Sequence, residues 1–117
     1  MRNDKQNLIV DMTFQFAMNI ITYSEHIKTF KKYEMASQIF RSGTSIGANT
    51  REAQNAESKA DFIHKFKIAA KEADEVYYWL TLCKASEHYP DPHERLFTDL
   101  NSIILIITKI ISSSKAK

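Results

Sequence analysis

The segment from Phe62 to Cys83 constrains the fold more tightly than any other part of the chain. Phe62, Phe66, Ala69, Ala73, Val76, Leu80 and Cys83 recur at steps of four and three without interruption. That spacing keeps one helical face apolar, and only neighbours running along its whole length can bury it. The pattern is the seam of an antiparallel bundle, with a small centre at Ala69 and Ala73 to receive bulky residues from another helix.

The rest of the chain supplies such neighbours. Ile9, Met12, Phe16, Ile20, Tyr23, Ile27 and Phe30 fall within about 40° of one line on a helical wheel. The same segment carries Val10, Phe14, Ala17 and Ile21 roughly 100° to 160° away, a second apolar face that a monomeric bundle does not need. A second helix follows the basic turn at Phe30 to Tyr33 and places Ala36, Ile39 or Phe40, Gly43, Ile46, Thr50 and Ala53 on one side. In the last segment Leu96, Leu100, Ile103, Ile107 and Ile110 carry the core, flanked by Phe97, Ile104 and Ile111. Asp91, Pro92 and Glu94 are placed to start that helix as N-cap, N1 and N3. The expected architecture is all-α, an up-and-down antiparallel four-helix bundle forming one domain over 1–117. Its helices are predicted near 7–31, 35–56, 59–86 and 92–113. With only two glycines and two prolines, the composition lacks the turn residues an all-β chain requires.

Both glycines lie inside the second helix, at Gly43 and Gly47, among Ser42, Ser45 and Ala48. Each costs about 1 kcal/mol against alanine in a helix interior, so close approach of another helix must offset the penalty. A phosphate-cradling loop is the competing reading, but the Lys-Ser/Thr ending and the preceding strand of a P-loop are both missing. Further on, Ser58 and Asp61 form a capping-box pattern that starts the third helix, with Gln54 to Glu57 as a tight connection.

Catalytic chemistry has few candidates. A carboxylate-bridged metal site in a bundle wants two Glu-x-x-His motifs and two further glutamates, whereas the chain offers a single Asp61-x-x-His64. Glu87, His88, Asp91, His93 and Glu94 crowd one connection and would be the ligands of a metal-dependent enzyme, the most distant reading, against an ordinary solvated turn. No Ser-His-Asp or Cys-His arrangement stands out, and neither Asp74 nor Glu75 has an identified partner to tune it. The reading is no enzyme, no cofactor and no metal. The lone Cys83 sits in the apolar repeat as a small buried hydrophobe, which suits a reducing cytoplasm. The N-terminus reads as no signal peptide and the aliphatic run from Ile103 to Ile107 as no membrane span, so no membrane partner is expected.

Charge is more telling in its distribution than in its formal total of +2. From Lys28 to Lys71 nine basic residues face four acidic ones, and from Glu72 to Asp99 two basic residues face seven acidic ones. One end or face of the bundle then suits phosphate backbones, unless the charges form ordinary i,i+4 pairs such as Asp61–Lys65 and Lys71–Glu75. Tyr77, Tyr78 and Trp79 offer rings for base stacking, although Tyr77 flanks the core line and Trp79 equally suits an interface anchor.

Several stretches together carry a family resemblance: Ala36 to Arg41, Ser45 to Asn49, Arg51 to Gln54, Glu57 to Ile63, and Ile68-Ala69 through Trp79-Leu80. They resemble the four-helix-bundle proteins encoded in intervening sequences of bacterial 23S ribosomal RNA genes. Those are relatives of the accessory variability proteins of diversity-generating retroelements. The resemblance implies a bundle assembled as a ring-like homopentamer and often described as a ribosomal protein. In the retroelement branch it implies a ring that binds RNA and a reverse transcriptase through basic surfaces. It carries over no catalytic residue. Thr50 departs from the aliphatic residue that many members place after the Ala-Asn pair, and its hydroxyl is free to bond the preceding turn.

The expectation is therefore a non-enzymatic, cytoplasmic oligomer that binds structured RNA or a ribonucleoprotein partner. Arg41, Arg51, Lys65 and Lys71 are the expected phosphate contacts, while Val10, Phe14, Ala17 and Ile21 form the subunit interface. The rival is an interaction scaffold with no nucleic-acid role, in which the basic residues only solvate the surface.

Overall fold

A computed structural model describes residues 4–116, with side chains from Leu8 onward. It contains four helices: α1 (Asp4–Lys28), α2 (Tyr33–Ala53), α3 (Lys59–Ala85) and α4 (Glu94–Ala116). The connections, residues 29–32, 54–58 and 86–93, are too short to return along a helix, so consecutive helices run antiparallel. α1 packs on α2 and α4, and α3 packs on the same two. The α1–α3 and α2–α4 pairs face each other across the diagonal of a body 47 × 21 × 20 Å.

Each helix end has a local cause. α1 stops at Lys28, short of the predicted 31, because Lys31 takes a left-handed conformation with φ 63°. The Lys32 N–H then bonds the Ile27 carbonyl and the Lys31 N–H bonds the Lys28 carbonyl, the two bonds of a Schellman closure. Glycine normally fills that position, and a side chain there costs about 1–2 kcal/mol. Lys31→Gly is accordingly expected to raise stability by about 0.5–1 kcal/mol, after allowing for the greater freedom of glycine in the unfolded chain. A urea midpoint that stays put or falls would remove strain from this account.

The C-terminus of α2 tightens through Gln54, Asn55 and Ala56, whose N–H groups reach carbonyls three residues back, so the helix ends at Ala53 rather than 56. At the start of α3 the Ser58 hydroxyl accepts the Asp61 N–H at 3.0 Å, as the capping pattern predicts. The Asp61 carboxylate reaches back to the Glu57 N–H at 3.3 Å, one residue earlier than in the standard box. Asp91 does not cap α4, which begins at Glu94. Pro92 is buried and the Tyr23 hydroxyl donates to the Pro90 carbonyl at 2.6 Å, so the chain stays non-helical through His93. The His93 Nδ1 accepts the Arg95 N–H at 3.0 Å and takes over the capping role.

The core follows the sequence stripes closely. Ile9, Phe16, Ile20 and Ile27 of α1, Ile39 and Ile46 of α2, Phe66, Val76 and Leu80 of α3, and Leu100, Ile103 and Ile107 of α4 are fully buried. Two expected members fall out of line. Phe30 lies beyond the shortened α1 and is half exposed, its ring edge-on to His26 at 5.3 Å. Phe40 is also exposed, and Ile39 takes the core position. Among the described residues α4 alone is long and apolar enough to cross a membrane by length and composition, and its apolar stripe is buried in the bundle.

The glycines mark the tightest seam. A Cβ on Gly43 would lie 2.7 and 2.8 Å from the two γ-carbons of Ile20, and one on Gly47 would lie 3.3 Å from the Thr13 carbonyl oxygen. Small polar residues line the same region and bond to their own helices: Thr13 to the Ile9 carbonyl, Ser42 to that of Gln38, and Thr50 to that of Ile46 at 2.8 Å. The Thr50 hydroxyl thus satisfies itself on the preceding turn and can be buried at little cost.

Candidate functional site

The second apolar face of α1 remains on the surface after folding. Phe14 is 60% exposed, Met18 48% and Ile21 37%, and they repeat at i, i+4 and i+7. The close α1–α2 approach sets this face beside small residues of α2. Together Val10, Thr13, Phe14 and Ala17 with Thr44, Gly47, Ala48 and Arg51 line a groove of about 220 Å³. Three of the four residues expected at a subunit interface therefore share one concavity, and Ile21 lies one turn beyond Ala17 on the same helix. Phe40, 47% exposed, extends the α2 side at i, i+4, i+7, i+8 and i+11 with Thr44, Gly47, Ala48 and Arg51. Met18 was legible from its i+4 spacing to Phe14. Phe40 was not, because Ile39 and Phe40 compete for one core position and only the packing decides between them.

The four expected phosphate contacts divide into two groups. Arg41 is forked between the carboxylates of α3, Glu72 at 3.2 Å and Glu75. The hydrogen bond to Glu75 is the chief cause that raises its already high pKa. Lys65 reaches across to Glu52 of α2 at 3.0 Å, which likewise raises its pKa. The i,i+4 pairs weighed against a basic face, Asp61–Lys65 and Lys71–Glu75, do not form among the described residues: Lys65 turns to Glu52 of α2, and Glu75 is engaged by Arg41 of α2. Such exposed pairs add little to stability, yet a phosphate must compete with them.

Arg51 and Lys71 are exposed and, among the described residues, make no ion pair. Arg51 stands at the end of the α1–α2 groove, whereas Lys71 lies on the outer face of α3 with Lys67 and His64, at spacings of four and seven. The structure therefore distributes the four cations over separate faces: two in the α2–α3 seam, one at the groove and one on α3.

Two further hollows are present. One, of about 440 Å³, lies between α1 and the start of α4 and is bordered by Tyr23, His26, Asp91, His93 and Arg95. The other, of about 600 Å³, is walled by Tyr33, Met35, Trp79 and Tyr89 with Glu34 and Gln38 at its edge. Tyr89 comes from the α3–α4 connection, and no periodic signal in the sequence could have placed it there. Among the described residues no three His, Cys, Asp or Glu side chains converge on a point that could hold a metal ion. Cys83 is fully buried, and burial pushes its thiol pKa up, which removes thiolate chemistry at neutral pH.

Over residues 5–112 the chain matches the family described as 23S rRNA-intervening sequence protein. It is similar to a protein of unknown function from the S23 ribosomal protein family of Bacteroides thetaiotaomicron, whose crystal structure was determined at 1.70 Å. The two share 42% identity and superpose with a TM-score of 0.85, covering 92% of this chain and 98% of the other. No curated protein matches significantly.

Proposed function

Because the chain belongs to the 23S rRNA-intervening sequence protein family, we propose that it is a non-enzymatic homo-oligomer that binds structured RNA, or a ribonucleoprotein partner, through a basic surface. The observation that supports this reading is the set of exposed cations that find no carboxylate partner among the described residues, Arg51 at the α1–α2 groove and Lys67 and Lys71 on α3. Unpaired guanidinium and ammonium groups are the ones that release counterions from a phosphate backbone. The apolar face running from Val10 to Ile21 supports self-association, with Phe14 and Met18 too exposed for a chain that works alone. Assembly as a ring-like homopentamer, kinship with the accessory variability proteins, a protein partner such as a reverse transcriptase, and a cytoplasmic location belong to the same proposal.

The test is binding of the purified protein to a structured ribosomal RNA fragment across roughly 50 to 200 mM salt. Affinity is expected to fall steeply with salt, and the slope to shrink by about one for each of Arg51→Ala and Lys71→Ala. Absence of binding at the low end would overturn the RNA reading. A second reading, a protein scaffold without a nucleic-acid role, is favoured by the pairing of Arg41 and Lys65 with carboxylates, which takes two cations of the basic region out of reach.

A further inference from the structure

The hollow walled by Tyr33, Trp79 and Tyr89 lies apart from the apolar face of α1, and its Met35, Trp79 and Tyr89 are partly buried residues that also pack against the core. Its three rings come from three separated places: the first residue of α2, the second half of α3 and the α3–α4 connection. Two of the rings are held by specific contacts. The Trp79 indole N–H donates to Glu75 at 3.2 Å and its ring meets that of Tyr78 at 5.4 Å. Tyr89 precedes Pro90, whose carbonyl is held by Tyr23, and the Lys32 ammonium lies 5.3 Å from the centre of the Tyr89 ring. Tyr33 is 60% exposed although a polar residue would serve equally well at the start of a helix. At about 600 Å³ the hollow lies within the range of small-ligand sites.

We propose that this hollow takes an unpaired nucleobase of the bound RNA, stacked against Trp79 and Tyr33. The inference rests on the RNA-binding reading above and adds a place where bases, not phosphates, are held. Aromatic faces accept any base, and structured RNA offers splayed bases in loops and bulges. Glu34, Ser37 and Gln38 at the edge supply hydrogen-bonding groups for a base.

Charge separates this ligand from the other one that aromatic walls attract, an organic cation. Glu75, the carboxylate nearest the indole N–H, is already engaged by Arg41. A cation of the chain itself, Lys32, already lies over the Tyr89 ring. The lining itself adds one carboxylate, Glu34; the Lys32 ammonium fills the cation–π position on Tyr89 and draws a phosphate-bearing strand.

Trp79 is the single tryptophan of the chain, so its fluorescence reports on this hollow alone. A short single-stranded oligoadenylate, added at roughly 50 mM salt, is expected to quench that emission, while inorganic polyphosphate leaves it unchanged. Tyr33→Ala removes a ring that stands mostly in solvent and keeps the reporter. It is expected to weaken oligoadenylate binding about 5- to 150-fold, the range for one lost stacking partner, with the thermal midpoint unaltered. Anisotropy of a labelled oligoadenylate and of the ribosomal RNA fragment runs in parallel. If both RNAs bind without quenching, and Tyr33→Ala binds as the parent does, the base site is refuted while the RNA-binding reading stands. If neither RNA binds, the reading beneath it fails and the site with it. Quenching by a trimethyllysine peptide but not by oligoadenylate would make the hollow a cation site and overturn the proposal.

Discussion

Gly43→Val is expected to cost about 3 kcal/mol or more, the largest effect of any single substitution at the α1–α2 seam. Even the first carbon of a side chain at Gly43 would come within 2.8 Å of the Ile20 γ-carbons. Ile20 is completely buried and β-branched, so it has no alternative rotamer to move into. Overpacking of this kind ordinarily costs 1–3 kcal/mol, and a branched residue meets the obstacle with two further carbons. Valine in place of glycine recovers only a few tenths of a kcal/mol in helix propensity. The thermal midpoint should fall by roughly 10 °C or more. Combining Gly43→Val with Ile20→Ala should cost less than the sum of the two single changes, since the second removes the carbons that the first strikes. A midpoint within about 2 °C of the parent, or strict additivity in the pair, would show that this seam can open without loss.

The second large effect concerns assembly. Phe14→Lys together with Ile21→Lys is expected to reduce the particle in solution to a single 13.5 kDa chain while leaving its helix content intact. Both side chains are exposed, so lysine at either site disturbs no buried contact within the bundle. Two charges on a face meant to be desolvated in an assembly, by contrast, carry the full penalty of removal from water. Light scattering gives the mass and circular dichroism the helicity. An unchanged mass would move the interface off α1, whereas lost helicity would mean that the face supports the fold itself.

The helices and their inward faces were readable because burial along a bundle imposes one repeating step, and Phe62 to Cys83 obeys it throughout. Helix ends were less legible. Nothing in a lysine announces the left-handed conformation of Lys31, and the early end of α1 followed from it. The cap of α4 passed from Asp91 to His93 because a distant residue, Tyr23, holds the Pro90 carbonyl. Surface electrostatics were the least accessible. Sequence showed that residues 28 to 71 are rich in cations, but carboxylates on the facing helix engage Arg41 and Lys65. Their reach depends on the register of α2 against α3, which a one-dimensional charge tally does not contain.

The order of the helices around the bundle also bears on how the chain reaches and leaves its native state. Because α1, α2 and α3 each pack on the helix that follows, three of the four seams close over short loops, the arrangement that favours rapid folding. The α1–α4 seam alone joins the two ends of the chain, and the Tyr23–Pro90 bond spans 67 residues along it. Closure of that seam carries the greatest loop-closure cost and is expected to be the slow event in folding, which stopped-flow refolding of Tyr23→Phe would check. Local opening there is expected to bare Ile103 and Ile107, the fully buried members of the C-terminal aliphatic run, so the step that completes the native state would also guard against aggregation.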